Sequence, residues 1–482
     1  MSLFIKKPLE QLMTQSTDSK GLKRTLGPAN LILLGVGAII GAGLFVRTAW
    51  AASEAAGPAV TLSFVVAAVG CGFAGLCYAE FASMIPIAGS AYTYAYATLG
   101  EFLAWVIGWA LILEYALASA TVAIAWSEYL NNLLGGAIPY ALCHSPMETS
   151  INGVSGIMNL PAVAILVVLT LLLIKGTQES AFVNAIIVVL KVTIVLVFIF
   201  VGWQFINPAN HTPYFIPEGT PGHDSFRQWG YGGVLGGAAI VFFAFIGFDA
   251  VSTAAQEAKN PKRDMPIGIL GSLVFCTILY ILFSYVLTGV APWQDFAVAG
   301  KEASVAFAIQ KYMPGYGWLA DSISIAILAG FSSVILVMLM GQSRVFYTMS
   351  IDGLVPKVFS ELHPKFRTPY KSNMLLFIFV GLFAGLVPGT MAGDLTSFGT
   401  LFAFVLVCAG VWVMRVKNPE VERPFATPLV PLVPILGMLV CTTLILSLDP
   451  TTQLVALGWM ILGVIIYFAY GKAHSKLRQT NP

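Results

Sequence analysis

Charge is what this chain has least of: Asp, Glu, Lys and Arg make up only 10% of its 482 residues, against about 25% in soluble domains. That scarcity, with 57% hydrophobic residues and a mean hydropathy of +0.83, excludes an ordinary soluble fold. Cysteine is also sparse. Cys71, Cys77, Cys143, Cys276, Cys408 and Cys441 form no CxxC pair and sit mostly in apolar segments, so they read as small packing residues. The five histidines, His144, His211, His223, His363 and His474, all fall in loops or the tail. No intramembrane His cluster is therefore available for a catalytic metal, and no cofactor is expected. Alternating ten-residue segments with a polar face are missing too, which argues against a membrane β-barrel. The first thirty residues are polar and the apolar stretch after them is too long for an h-region, so no cleavable signal peptide is expected.

What the chain has instead is long apolar runs. They lie at about 30–52, 58–84, 101–133, 158–175, 181–203, 232–256, 266–291, 316–349, 372–388, 394–414, 428–448 and 454–471, each able to cross a hydrocarbon core of about 30 Å as a helix. Twelve spans put twenty of the 25 Lys and Arg on the N-terminal side of the membrane. The other side receives only Arg47, Arg227, Lys301 and Lys311, and Lys191 stands alone inside a span. This asymmetry predicts that both termini are cytoplasmic.

The first run contains Gly35, Gly37, Gly41 and Gly43. Each costs roughly 0.8–1.0 kcal/mol of helix propensity, so something must offset them. One reading is close helix packing. The other is an unwound break at Gly41, Ala42 and Gly43, whose free backbone N–H and C=O groups would suit a zwitterion. The sixth run repeats the theme with Gly232, Gly233, Gly236, Gly237 and Gly247, and two glycine-broken helices five spans apart point to an inverted repeat. Around Gly247 cluster Phe242, Phe243, Phe245 and Phe248, readable as core or lipid-facing aromatics or as cover for a cavity. Glu114 lies mid-way along the third run, either as a neutral structural carboxyl or in a transport role. Lys191 is about 15 Å from either end of its helix, and a lysine reaches only about 6 Å, so it must find a partner or lose its proton. An ionisable group this deep is a functional candidate. The uncharged stretch from Pro86 to Tyr96 is expected to pack against the bundle.

Three motifs carry a resemblance: GAIIGAG at 37–43, FIGFD at 245–249 leading to QEAKNPKRDMP at 256–266, and GQSRVFYTMSIDGLVP at 341–356. Over essentially its whole length the chain resembles the amino acid–polyamine–organocation (APC) superfamily, and within it the bacterial cationic amino acid transporter family. The resemblance implies an all-α polytopic membrane protein with twelve transmembrane helices in a five-plus-five inverted-repeat (LeuT-type) fold and discontinuous helices 1 and 6. Residues 1–29 would be a cytoplasmic segment, 30–203 and 204–414 the two repeats, and 415–482 two further helices with a cytoplasmic tail. It also implies a central site between spans one, three, six and eight. There the substrate carboxylate would meet the backbone N–H groups of Gly41, Ala42 and Gly43. The ammonium would meet carbonyls near Ile39 and Ile40 and, on span six, Phe243 and Ile246, beside Phe245. Lys191 matches the span-five lysine of proton-coupled members, with Glu114 a second candidate for proton coupling.

Ala42 departs from relatives that place a serine or threonine hydroxyl in the break, leaving recognition to the backbone. By resemblance Phe331 walls the side-chain pocket, although a lipid-facing position is also compatible with the sequence. A phenylalanine wall with no carboxylate favours small neutral L-amino acids such as alanine over arginine or lysine. The expected function is proton-coupled secondary active transport across the plasma (bacterial inner) membrane; a membrane-bound enzyme or amino acid sensor is the reading of another class. The expected partners are an L-amino acid, a proton and the lipid bilayer, with no nucleic acid. Symport against exchange, and any small accessory subunit, stay open.

Overall fold

The computed structural model describes residues 3–8, 12, 26–41, 43–87, 89–150, 152–175, 180–297, 304–366 and 368–480. Ala42 and Lys301, singled out above, lie outside the described residues, as do Lys20, Lys23, Arg24 and Arg367 of the twenty basic residues counted on the N-terminal side. The chain is all-helical. In order run α1 (Pro28–Ile39), α2 (residues 43–56), α3 (Val60–Met84), α4 (Ser90–Thr98), α5 (Glu101–Leu133), α6 (Leu160–Lys175), α7 (Ser180–Gly202), α8 (Gly230–Val241), α9 (Pro261–Val290), α10 (Ser304–Tyr312), α11 (Gly317–Ile351), α12 (Tyr370–Leu386), α13 (Gly389–Lys417), α14 (Leu432–Leu446) and α15 (Pro450–His474). Among the described residues the extended pairings are isolated bridges, Leu26 with Ala258 and Thr149 with Ser155. Among the described residues eight helical stretches are long and apolar enough to cross a membrane, and four shorter apolar helices, α1, α6, α12 and α14, accompany them. Their outward faces are apolar, as Phe200, Ile278 and Leu454 show, which is the surface a helix bundle presents to lipid.

The first and sixth apolar runs are not continuous helices. α1 stops at Ile39, Ile40 turns extended (φ −74°, ψ 99°), and helix resumes at Gly43 in wide π-type turns over Gly43–Arg47 and Ala52–Ala56. α8 tightens into a 3-10 turn, Phe242–Phe245, then Ile246 is extended (φ −60°, ψ 134°) and Gly247 takes φ +114° before the 3-10 segment Asp249–Glu257. Gly247 is one position where glycine is required, because L side chains avoid that region. The stretch after Pro86 forms a helix of its own, α4, whose residues are all buried against the bundle.

Buried charge holds the ends of these helices. Glu80 of α3 takes two hydrogen bonds from Arg415 of α13 (Nε 3.1 Å, Nη2 2.8 Å) and an ion pair from Arg423, pinning the loop beyond α13. Glu101 collects Tyr96, Tyr467, Ser475 and Arg478, while Asp352 collects Lys7 and Tyr92. Both terminal segments are thereby seated against the same group of helices. All six cysteines are free and buried.

In the loop between α5 and α6, His144 stacks on Tyr140 and pairs with Glu128 at 2.9 Å. Burial alone pushes the imidazole down, but the hydrogen bond and charge of Glu128 outweigh it and hold His144 above the usual histidine range. A raised folded value means the pairing stabilises the loop fully below the unfolded value of about 6.5 and is lost as pH rises through the folded value. Hydrogen-exchange protection across residues 140–148, corrected for intrinsic rate, should fall between pH 6 and pH 9, and His144→Gln should show low protection throughout.

Candidate functional site

The two breaks lie against each other. A Cβ on Gly43 would land on the Cα of Ala244 and 2.7 Å from its backbone nitrogen; a Cβ on Gly247 would stand 2.9 Å from the Ala38 carbonyl oxygen. These glycines are where one interrupted backbone crosses the other, and close approach is why the sequence holds glycine there. The crossing brings six of the expected site residues, Ile39, Ile40, Gly43, Phe243, Phe245 and Ile246, into one buried region. Gly41 packs on Val334 of α11.

Lys191 of α7 is 1% exposed and donates from Nζ to the carbonyls of Gly37 (2.5 Å) and Ile40 (2.9 Å). It thus spans from α7 to the C-terminal end of α1, where unsatisfied carbonyls gather negative potential. Against α11 its methylenes meet Gly330, where any side chain would crowd Lys191 Cδ at 3.2 Å. Ser332 instead bonds back to the Leu328 carbonyl.

Tyr280 of α9, which sequence reasoning passed over, sits on both breaks. Its hydroxyl lies 3.0 Å from the Ile39 carbonyl and 2.8 Å from that of Ala244. One O–H proton serves two carbonyls, so it satisfies one break at a time. The Phe243 carbonyl accepts from the Ile246 N–H at 3.3 Å. The carbonyls of Ile39, Ile40 and Phe243 each retain a second lone pair for a cation.

Phe331 is fully buried, so the lipid-facing alternative does not hold. It meets Phe45 at 6.1 Å and Tyr129 at 5.7 Å between ring centres, in an aromatic wall formed by α2, α5 and α11. Phe245 packs with Phe64 and Tyr280. Glu114 is fully buried on a widened turn, Leu113–Leu117, of α5, apart from the Lys191 cradle.

On the far side of the crossing lies an ion pair the sequence did not reveal. Arg47, 3% exposed, forms an ion pair with Asp394 at 3.1 Å and donates from Nη2 to the Thr390 carbonyl at 3.0 Å, with its guanidinium over the rings of Trp50 (4.5 Å) and Phe243 (5.3 Å). Lys191 is therefore not the only basic residue buried within a helical stretch, as the segment boundaries had suggested. The available signal was two opposite charges, Arg47 and Asp394, at the margins of apolar runs. Together these contacts make a polar-lined crossing with a buried lysine on one break and a buried ion pair beside it.

Comparison with known proteins places nearly the whole chain in one family. The family described as Amino acid permease matches residues 26–469. The chain is 46% identical over 481 residues to the branched-chain amino acid permease BcaP of Bacillus subtilis (strain 168), covering 99% of each sequence. It is 42% identical over 482 residues to the methylthioribose transporter of the same organism, covering 99% of this chain and all of the relative. With the vacuolar cationic amino acid transporter 4 of Arabidopsis thaliana it shares 35% identity over 401 residues, 83% of this chain and 64% of the relative.

Proposed function

The chain belongs to the amino acid permease family of the APC superfamily and is a transporter rather than an enzyme; from that premise we propose that it is a proton-coupled importer of neutral L-amino acids working by alternating access. The observation that carries this reading is the crossing of two interrupted helices with Lys191 bonded to the helix end at the first break. In the proposal, twelve helices span the plasma membrane with both termini cytoplasmic. Residues 30–203 and 204–414 are the inverted repeats, and 415–482 supply the last two helices and the tail. The substrate carboxylate lies on backbone N–H groups of residues 41–43, and its ammonium on the carbonyls of Ile39, Ile40, Phe243 and Ile246. Ion pairing of Arg47 with Asp394 closes the outer side, and Lys191, with Glu114 as second candidate, carries the proton.

The substrate side chain would lie against Phe331, Phe45 and Tyr129, an apolar wall with no carboxylate for a guanidinium. A relative named for branched-chain amino acids supports an apolar pocket, and one named for methylthioribose makes that compound a necessary comparison. The test is uptake into proteoliposomes of labelled alanine, valine, leucine, arginine, lysine and methylthioribose, with and without an inward proton gradient. Gradient-stimulated accumulation of the neutral amino acids is expected. Preference for arginine, or for methylthioribose alone, would displace the substrate assignment; indifference to the gradient would displace the coupling.

Phe331→Ser opens the wall, and entry of arginine or lysine should rise by roughly tenfold or more relative to alanine, the scale set by a few methylenes in a pocket. An unchanged substrate profile would move Phe331 out of the pocket. Orientation has its own check. Cysteines at Ser225 and Ser360, introduced after the native thiols are replaced, should react with an impermeant maleimide from opposite sides, Ser225 outside and Ser360 inside. Labelling of both in intact cells rules out the twelve-span arrangement.

A further inference from the structure

A second acid lies next to Glu114. Glu114 is fully buried and neither of its carboxyl oxygens has a hydrogen-bond partner. Beside it stand Asp249, the first residue of the 3-10 segment that follows the second break, and Thr400 of α13. Asp249 is equally buried; its Oδ2 accepts from the Tyr115 hydroxyl at 2.8 Å, and its Oδ1 accepts nothing. From α3 the hydroxyl of Tyr78, buried and without a partner, faces both acids, and Tyr94 of α4 faces Asp249. Two elements, α3 and α4, thus bring unused hydroxyls to one pair of carboxyls, in a core where such capacity is normally filled.

Two carboxyls sharing a dry site do not both ionise. Which one keeps the proton follows from the donors. Asp249 has the Tyr115 hydroxyl and stands at the N-terminal end of a nine-residue 3-10 segment, where backbone N–H groups favour an anion. Glu114 accepts no hydrogen bond, the neighbouring Thr400 hydroxyl donating instead to the Thr396 carbonyl at 3.1 Å, so it is the acid that stays neutral. We infer that Glu114 and Asp249 form a proton-sharing pair, Glu114 holding the proton and Asp249 the charge, so that the second interrupted helix has a protonation switch of its own. When Glu114 gives up its proton, two facing carboxylates repel, and the strain falls on the 3-10 segment Asp249–Glu257, which joins α8 through the extended Ile246 and the positive-φ Gly247. Lys191 would then act on the first break and this pair on the second.

The consequence for transport rests on the proton-coupled reading, but the protonation itself does not, and the experiment separates them. Infrared difference spectra of the full-length protein in bilayers, titrated through neutral pH, should show the carbonyl band of a protonated buried carboxyl. Glu114→Gln should remove it. Asp249→Asn should keep it but move its titration to lower pH by roughly one unit or more, because a neighbouring negative charge no longer holds the proton. A wild type without the band, a band that survives Glu114→Gln, or one lost in Asp249→Asn overturns the pair. If Glu114→Gln does not assemble, Asp249→Asn decides alone: a downward shift supports the pair and an unmoved titration overturns it. Sodium at clamped pH that displaces the band would make this a cation site and also overturn it. Uptake by the same preparations completes the separation. A band behaving as expected in a wild type indifferent to a pH gradient leaves the pair standing and removes the coupling; gradient-driven uptake without the band does the reverse.

Discussion

Proteoliposomes carrying Lys191→Met are expected to let substrate equilibrate but not accumulate, whatever pH gradient is imposed. Methionine keeps most of the length of lysine and its apolar stem, so packing against Gly330 survives. What disappears is the proposed proton site and the bridge from α7 to the carbonyls of Gly37 and Ile40. In the charged form that bridge holds the end of α1 in place. Losing it leaves polar groups less well satisfied in the core, at about 1–3 kcal/mol for each unsatisfied group. A difference of a few kcal/mol between protonation states is what coupling needs, since allosteric coupling energies run at about 1–3 kcal/mol. Substrate affinity should fall by roughly tenfold or more for the same reason, while insertion and monodispersity in detergent remain normal. Concentrative uptake by a properly inserted Lys191→Met protein would place the proton elsewhere, with Glu114 the first candidate.

Gly43→Ala should be nearly as damaging through sterics alone. The added methyl would fall on the Cα of Ala244, a backbone atom with no rotamer to move. The two interrupted helices would have to part by roughly 1.5 Å to restore ordinary carbon contact, and misplacement of about 1 Å at a working site costs on the order of a hundredfold in rate. Initial uptake rates should fall by about that factor. Gly27→Ala is the control, since a Cβ there meets nothing within 4 Å. Ala244→Gly should not rescue Gly43→Ala, because removing the Ala244 methyl, at 2.7 Å, leaves its Cα, closer still, and its nitrogen at 2.7 Å in the way. Uptake within twofold of wild type would mean that the two breaks do not need this approach.

The residues behind these predictions differ in how legible they are in the sequence. Both breaks were visible because glycine is costly in a helix and conspicuous in apolar runs; Gly43 and Gly247 occupy the crossing. Lys191 was visible because a cation far from either helix end has few physical solutions, though its acceptors were not. Those acceptors, Gly37 and Ile40, lie 154 and 151 residues away along the chain. Tyr280 stayed hidden for a related reason. It is one tyrosine among 17, and only the packing of α9 across residues 241 positions earlier brings its hydroxyl onto Ile39. The partners Arg47–Asp394 and Tyr115–Asp249 are likewise separated by hundreds or by 134 residues. Periodicity and hydropathy speak for single helices, while pairing across helices is a property of their arrangement. Phe331 is intermediate: its burial is settled by the packing of Phe45 and Tyr129, which no pattern within α11 could supply.

Both hydrogen-bond acceptors of Lys191 are uncharged carbonyls. A proton arriving there consequently arrives as net charge, and a zwitterionic amino acid travelling with it adds none. Under the proposed mechanism, import is then an electric current as well as a chemical flux. An inside-negative membrane voltage acts on it with about 2.3 kcal/mol per 100 mV for each full charge moved, comparable to roughly 1.7 units of pH difference. Valinomycin-clamped potentials at equal pH should therefore drive accumulation by themselves. A cell whose cytoplasm and surroundings share one pH could still concentrate its amino acids.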